Sequence, residues 1–140
     1  MTAAPPAGPA GNYIDWLGLE LLEVSGDRVV AAVELRPDHH QPYGIVHGGV
    51  HSSIVETVAS IAGAEWFGER GQVVGVSNST DFLRAVRTGR LTATGTPVHR
   101  GRMQQLWMVE IRDADDRLVA RGHVRLQNVP GDRFTEAPHG

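Results

Sequence analysis

The sequence contains neither cysteine nor lysine. Without cysteine, thiol nucleophiles, disulfide bonds and thiolate metal sites are excluded. Without lysine, a Schiff-base mechanism is excluded, and arginine becomes the residue expected to bind any phosphate through its bidentate fork. A reaction carried out by this chain must therefore use carboxylates, histidines, hydroxyls or backbone groups.

Long apolar runs and an excess of positive charge are also missing. No run of roughly 18 apolar residues is present, so no membrane span is predicted. The formal net charge of −3 argues against a nucleic-acid partner. The first eleven residues lack the basic and apolar regions of a secretion signal, so we expect a cytoplasmic protein.

The chain is expected to form one domain between two disordered tails. Its 140 residues, of which 41% are hydrophobic, suit a single packed core. The segments 1–11 and 131–140 are rich in Ala, Gly, Pro or polar residues and are predicted to be tails, which leaves 12–130 as the domain. A short helix or turn is expected over residues 12–19.

One long helix is predicted from Gly48 to about Phe67. Its apolar residues recur at helical spacing and form one stripe, which consists of Val50, Ile54, Val58 and Ile61. Five other segments are rich in strand-forming residues, and they are 28–36, 72–82, 90–98, 105–112 and 118–129. Short turns between the last four favour an antiparallel meander.

A single amphipathic helix can bury its stripe only against the one available sheet. We therefore predict an α+β domain in which a curved antiparallel sheet of five to six strands wraps around a central helix.

The start of this helix carries the sequence His47-Gly48-Gly49. Backbone N–H groups at a helix N-terminus lack intrahelical acceptors, and the helix dipole adds positive charge there. Glycine also lets a ligand approach the backbone closely. The Gly48 N–H could therefore serve as an oxyanion donor to a carbonyl. The two glycines could equally serve only as a tight turn into the helix.

Glu56 lies in an otherwise uncharged stretch of the same helix, on the side opposite the apolar stripe. Ser60, one turn later, shares its face. A solvated outer face is the alternative interpretation, but the rest of that face, Ala59 and Gly63, is small and apolar, and a solvated face would usually carry more than one charge. We interpret Glu56 as a candidate general base or nucleophile.

Gly48 and Glu56 are separated by eight positions, which is roughly 12 Å along a helix at about 1.5 Å per residue. One carbonyl carbon cannot touch both groups of the same chain. If both act on one substrate, they must come from two subunits, so the sequence predicts a dimer with shared sites.

Metal binding is a weaker hypothesis. His47 and His51 have the i, i+4 spacing of helical ligands, but no Glu follows His47 to complete an HExxH motif. No metal and no cofactor is therefore expected, and His47 is expected to fix the loop by hydrogen bonding. Arg84, Arg100 and Arg102 could bind phosphates, although each could also be an ordinary surface arginine.

These residues resemble the hotdog-fold acyl-CoA thioesterases of the phenylacetate-pathway (PaaI-like) and 4-hydroxybenzoyl-CoA thioesterase type. The resemblance covers about residues 13–129. Its motifs are Gln41, His47-Gly48-Gly49, Glu56 and Ser60, followed by Val73-Val74-Gly75 and by Pro97-Val98-His99-Arg100-Gly101 with Gln105-Leu106-Trp107.

The resemblance implies a role for each residue of the first motif set. Glu56 would attack the thioester carbonyl or activate water, and Gly48 would polarise the carbonyl. Gln41 would bind near the thioester, His47 would shape the loop, and Ser60 would orient the carboxylate or the water. Residues implied to contact CoA or the acyl group are Gly49, Arg84, Gly101, Arg102 and, as a pocket wall, Phe82.

The resemblance also implies an acyl-CoA substrate, with aryl or medium-chain acyl groups favoured, and a homodimer that assembles into a homotetramer. Two alternatives stay open. A hydratase or dehydratase of enoyl thioesters on the same fold would use His47 with Glu56 for proton transfer, and a non-enzymatic acyl-CoA sensor would bind without turnover.

Overall fold

The structure is a computed structural model that describes residues 12–131; the two predicted tails, apart from Gly131, lie outside this range. It contains a short helix α1 (Tyr13–Leu17) and a long helix α2 (Gly48–Phe67). The strands are β1 (Leu19–Val24), β2 (Val29–Glu34), β3 (Gly71–Phe82), β4 (Arg90–Arg100), β5 (Gln104–Arg112) and β6 (Leu118–Pro130). No helix among these residues is long and apolar enough to cross a bilayer.

The six strands form one antiparallel sheet in the order β1-β2-β4-β5-β6-β3, and α2 packs across it against every strand. The predicted apolar stripe of the helix is buried: Val50, Ile54, Val58 and Ile61 are each at most 6% exposed. Its partners include Trp107 and Ile111 on the central strand β5, both fully buried. The predicted α+β architecture and the limits of α2 are confirmed.

Strand β1 is absent from the five predicted segments. It lies at the edge of the sheet, and a bulge between Leu21 and Glu23 breaks the alternation of buried and exposed side chains. Leu22 is 49% exposed as a result. A strand without regular alternation gives no period-2 signal, which explains the omission.

The predicted meander of four strands is only partly correct. Strands β4, β5 and β6 are consecutive neighbours, but β3 pairs with β6 at the far edge and β4 pairs with β2. The connection from β3 to β4 is not a tight hairpin. It contacts the loop ahead of α2, where Val86 accepts a hydrogen bond from Val46 N–H at 2.8 Å. Strand β3 therefore has one unpaired edge in the protomer.

Candidate functional site

His47 caps the N-terminus of α2. Its backbone is extended (φ −65°, ψ 135°), and its Nδ1 accepts a hydrogen bond from Gly49 N–H at 2.8 Å. Its carbonyl accepts from Val50 N–H at 2.9 Å. Within residues 12–131 no acceptor faces the Gly48 N–H. Capping thus uses the second N–H of the helix and leaves the first, on Gly48, available to a ligand.

An open cleft of about 340 Å³ lies beside this free N–H. Four of the predicted residues line it together, namely Gln41, Gly48, Phe82 and Arg84. The ring of Phe82 lies directly over Gly48: a Cβ added at position 48 would be 2.4 Å from Phe82 Cε2. The glycine is therefore required by the close approach of this ring.

Gln41 shapes the same loop from within. Its side-chain Oε1 accepts from Tyr43 N–H, and its backbone N–H donates to Ile45 O at 2.8 Å. These contacts leave the Nε2 amide of Gln41 as the group able to reach a ligand in the cleft.

His51, also on this cleft, is only 3% exposed. Its ring is tilted against Phe82 at a centroid distance of 5.9 Å, and its Nδ1 has no hydrogen-bond partner. Burial lowers the pKa of His51 from 6.5 to about 4, so the ring is neutral at physiological pH. Within residues 12–131 no three His, Asp or Glu side chains are grouped so as to hold a metal ion.

Glu56 lies two turns further along α2, and its side chain is exposed in the isolated protomer. Ala59 and Gly63, the small residues expected on the same face, are buried, whereas Glu56 is exposed. Ala59 is fully buried, and a Cβ at Gly63 would be 2.2 Å from Leu126 of β6. Both residues face the sheet although they follow Glu56 by only three and seven positions, so Glu56 lies at the border between the buried and the exposed side of the helix.

Ser60 does share a cleft with Glu56. This cleft, about 590 Å³, is walled mainly by apolar residues of three elements, namely Ile14, Ile61, Ala64, Val73 and Val74. The carboxylate and the hydroxyl thus lie at one side of a cavity that could receive an acyl group.

Glu56 is also contacted or oriented by three residues of β3 to which the sequence assigned no such role. Asn78 Nδ2 donates to Glu56 Oε1 at 3.2 Å, and Thr80 Oγ1 donates to Asn78 Oδ1 at 2.7 Å. A Cβ at Gly75 would lie 3.4 Å from Glu56 Oε2. Asn78 and Glu56 are 22 positions apart, so no local spacing signals this contact; only Gly75 belonged to a recognised motif.

The predicted CoA contacts Gly101 and Arg102 lie in the turn between β4 and β5, where they line a separate cleft with Arg125 of β6. Arg100 is bound to Asp27 at 2.7 Å, so this phosphate candidate is already paired with a carboxylate. Among the described residues no carboxylate forms a salt bridge with Arg84 or Arg102.

One protomer therefore brings the site residues together only in separate groups. Gln41, Gly48, Phe82 and Arg84 share the first cleft, Glu56 and Ser60 the second, and Gly101 and Arg102 a third.

Comparison with known proteins identifies the family of this chain. Residues 43–120, more than half of the chain, match the model of the thioesterase superfamily. The crystal structure of AziG from S. sahachiroi is 54% identical, with a TM-score of 0.85 over 86% of this chain and 98% of that chain. A thioesterase from Haemophilus influenzae is 31% identical, with a TM-score of 0.83 over 93% and 89% of the two chains.

A third relative is the 1,4-dihydroxy-2-naphthoyl-CoA hydrolase of Escherichia coli. It is 30% identical over 77% of this chain and 79% of its own length. The predicted resemblance to hotdog-fold thioesterases is thereby confirmed. The chain belongs to the thioesterase superfamily and is a hydrolase of that family.

Proposed function

We propose that the protein hydrolyses an acyl-CoA thioester in sites shared between two subunits. Glu56 of one subunit would act as base or nucleophile, and Gly48 N–H of the other as oxyanion donor. One observation carries the proposal. The free N–H and the carboxylate belong to one uninterrupted helix, roughly 12 Å apart at about 1.5 Å per residue, and open into different clefts.

The unpaired edge of β3 supports such a dimer. It is twelve residues long and exposes Val76 (52%) and Phe82 (56%), and an edge strand of this kind invites pairing. Two copies related by a two-fold axis would pair their β3 strands antiparallel and place their α2 helices antiparallel beside each other.

One contact within the protomer supports a particular register for that pairing. Asn78 of β3 donates to the carbonyl of Ser52 at 3.0 Å, so these residues are adjacent. Position 52 is midway between 48 and 56. If the two-fold axis passes near Asn78, it would bring Glu56 of each subunit towards Gly48 of its partner.

The reaction then needs no cofactor. With Glu56 as base, a water oxygen attacks the thioester carbon while its proton passes to the carboxylate. The oxyanion forms opposite Gly48 N–H, the C–S bond breaks, and the proton passes to the departing CoA thiolate. With Glu56 as nucleophile, a carboxylate oxygen attacks the thioester carbon and the C–S bond breaks, which releases CoA thiolate and forms a mixed anhydride. Water then hydrolyses the anhydride to the free acid and the Glu56 carboxylate, and the proton released goes to the thiolate. Ser60 would orient the water or the carboxylate in either case.

The acyl group would occupy the cleft beside Glu56 and Ser60. Its apolar walls and volume of about 590 Å³ suit an aryl or medium-chain acyl group. The name of the E. coli relative supports the aryl class. Ile14 of α1 contributes one wall from outside the region that matches the family model.

The CoA moiety would be held by Arg84 beside the oxyanion cleft and by Gly101 and Arg102 at the β4–β5 turn, with Gly49 near the thioester. Cytoplasmic location and a tetramer of such dimers stay predictions.

The test is a panel of aryl and straight-chain acyl-CoAs incubated with the wild type and with Glu56→Gln, with free thiol as the readout. We expect the wild type to release thiol and the variant, which keeps the shape but loses the charge, to lose at least about a hundredfold in kcat. Ser79→Ala, on the opposite face of β3 from Asn78, is the matched control and should keep wild-type rates. Thiol release by Glu56→Gln at the wild-type rate would contradict the assigned role. Hydration of an enoyl-CoA without thiol release would point to the hydratase alternative.

A further inference from the structure

The side chain of Asn78 has every hydrogen-bonding group in use. Its Nδ2 donates one hydrogen to Ser52 O at 3.0 Å and the other to Glu56 Oε1 at 3.2 Å. Its Oδ1 accepts from Thr80 Oγ1 at 2.7 Å. These contacts link one residue of β3 to the backbone of α2 and to the proposed catalytic carboxylate.

The partners of Asn78 determine which end of its amide faces Glu56. The carbonyl of Ser52 and the carboxylate of Glu56 can only accept, so both require the NH₂ end. The Thr80 hydroxyl satisfies the oxygen end. An inverted amide would place Oδ1 against two oxygens and would leave the Thr80 hydroxyl facing NH₂.

The position of Thr80 is itself fixed by packing. It faces Gly122 of the neighbouring strand β6, where an added Cβ would be 2.5 Å from Thr80 Oγ1. The hydroxyl occupies the space that a side chain at position 122 would fill. Strand alternation places Asn78 and Thr80 on the same face of β3 and Ser79 on the other.

We propose that Asn78 and Thr80 are positioning residues for Glu56, an inference that rests on the proposed role of that carboxylate. Asn78 holds Oε1, so that Oε2, which lies against the bare backbone of Gly75, is the oxygen presented to the substrate or the water. Thr80 acts only through Asn78, by keeping its amide turned towards Glu56. A catalytic group held in its reactive orientation reacts faster than one that samples several orientations. Loss of the contacts of Asn78 and Thr80 is therefore expected to lower kcat.

The decisive comparison is between two substitutions of Thr80. Thr80→Ser keeps the hydroxyl and loses a methyl group, whereas Thr80→Val keeps the shape and loses the hydroxyl. We expect kcat of Thr80→Ser within about twofold of wild type, and kcat of Thr80→Val to fall about five- to tenfold with KM unchanged. A purely structural role in packing would produce the opposite order.

A double-mutant cycle tests the connection between the two residues. Asn78→Leu should lower kcat about tenfold or more, and adding Thr80→Val should lower it no further, because Thr80 has no other route to Glu56. Ser79→Ala is the control on the other face of the strand. Circular dichroism and the oligomeric state of each variant establish that it is folded, and Thr80→Val serves if Asn78→Leu does not fold.

The outcomes separate this inference from the proposed function. If the wild type releases no thiol, or Glu56→Gln keeps its activity, the proposed function fails. If Glu56→Gln is inactive while Thr80→Val equals the wild type, or if the two substitutions of the cycle are additive, only the positioning role is overturned.

Discussion

Mixing two inactive variants tests whether each active site is shared between subunits. The first variant, Glu56→Gln, lacks the carboxylate. The second must lack the N–H at position 48, and proline removes it. Proline is favoured at the first position of a helix, and His47 before it already has the extended backbone that a following proline requires. Because a Cβ at position 48 would be 2.4 Å from Phe82 Cε2, the variant is made as Gly48→Pro/Phe82→Ala.

The expected recovery follows from the geometry. In a mixed dimer one site combines both defects, while the other combines an intact Glu56 with an intact Gly48 N–H. Random exchange of subunits in equal amounts makes about half of the dimers mixed, and each has one of two sites intact. The mixture should therefore show about a quarter of the wild-type activity, because the intact site takes both Gly48 and Phe82 from the Glu56→Gln subunit.

The assay follows thiol release after subunit exchange, and differently tagged variants allow the mixed dimer to be isolated and counted. Each variant alone should stay near background. Mixed dimers that form in the expected amount but release no thiol would refute the shared site, since a site within one protomer cannot be restored by mixing.

Three further predictions concern individual residues. His51, whose pKa is lowered from 6.5 to about 4, makes unfolding easier as the pH falls from about 6.5 to about 4, because the unfolded chain takes up the proton first. Between pH 7 and pH 5, the free energy of unfolding of the wild type should fall by about 2 kcal/mol more than that of His51→Gln. Denaturant unfolding at fixed protein concentration measures both values, and equal decreases would contradict the prediction. Ile14→Trp should narrow the acyl cleft and shift kcat/KM towards shorter acyl chains, and an unchanged preference in a chain-length series would exclude α1 as a wall. Gln105→Leu should lower the free energy of unfolding by about 2–4 kcal/mol, because it leaves Trp107 Nε1 and Asn128 Oδ1 buried without partners; a loss below about 1 kcal/mol would show that the site adapts.

The local features of the fold could be predicted because they depend on residues close in sequence. The limits of α2 and the burial of its apolar stripe follow from helical periodicity, which needs only a window of about 18 residues. The common face of Glu56 and Ser60 follows from their i, i+4 spacing. Strands were predicted in the same way wherever buried and exposed residues alternate regularly, and the prediction failed for β1, where a bulge breaks the alternation.

The pairing of distant segments could not be predicted in this way. Periodicity does not state which strand a strand will choose as a neighbour, so β3 was expected beside β4 and is found at the edge beside β6. That position creates the unpaired edge on which the proposed dimer depends. It also brings Asn78 to Glu56 across 22 positions of sequence.

The sequence by itself determined the chemical groups and their separation along one helix: a free N–H at Gly48, a carboxylate at Glu56, and a distance too large for one carbonyl. Only the tertiary structure decided the surroundings of these groups. It placed Phe82 over Gly48, turned Ala59 and Gly63 towards the sheet, and oriented Glu56 from β3. The physical reason is that a helix fixes distances within itself through local hydrogen bonds, whereas contacts between elements depend on how the whole core packs.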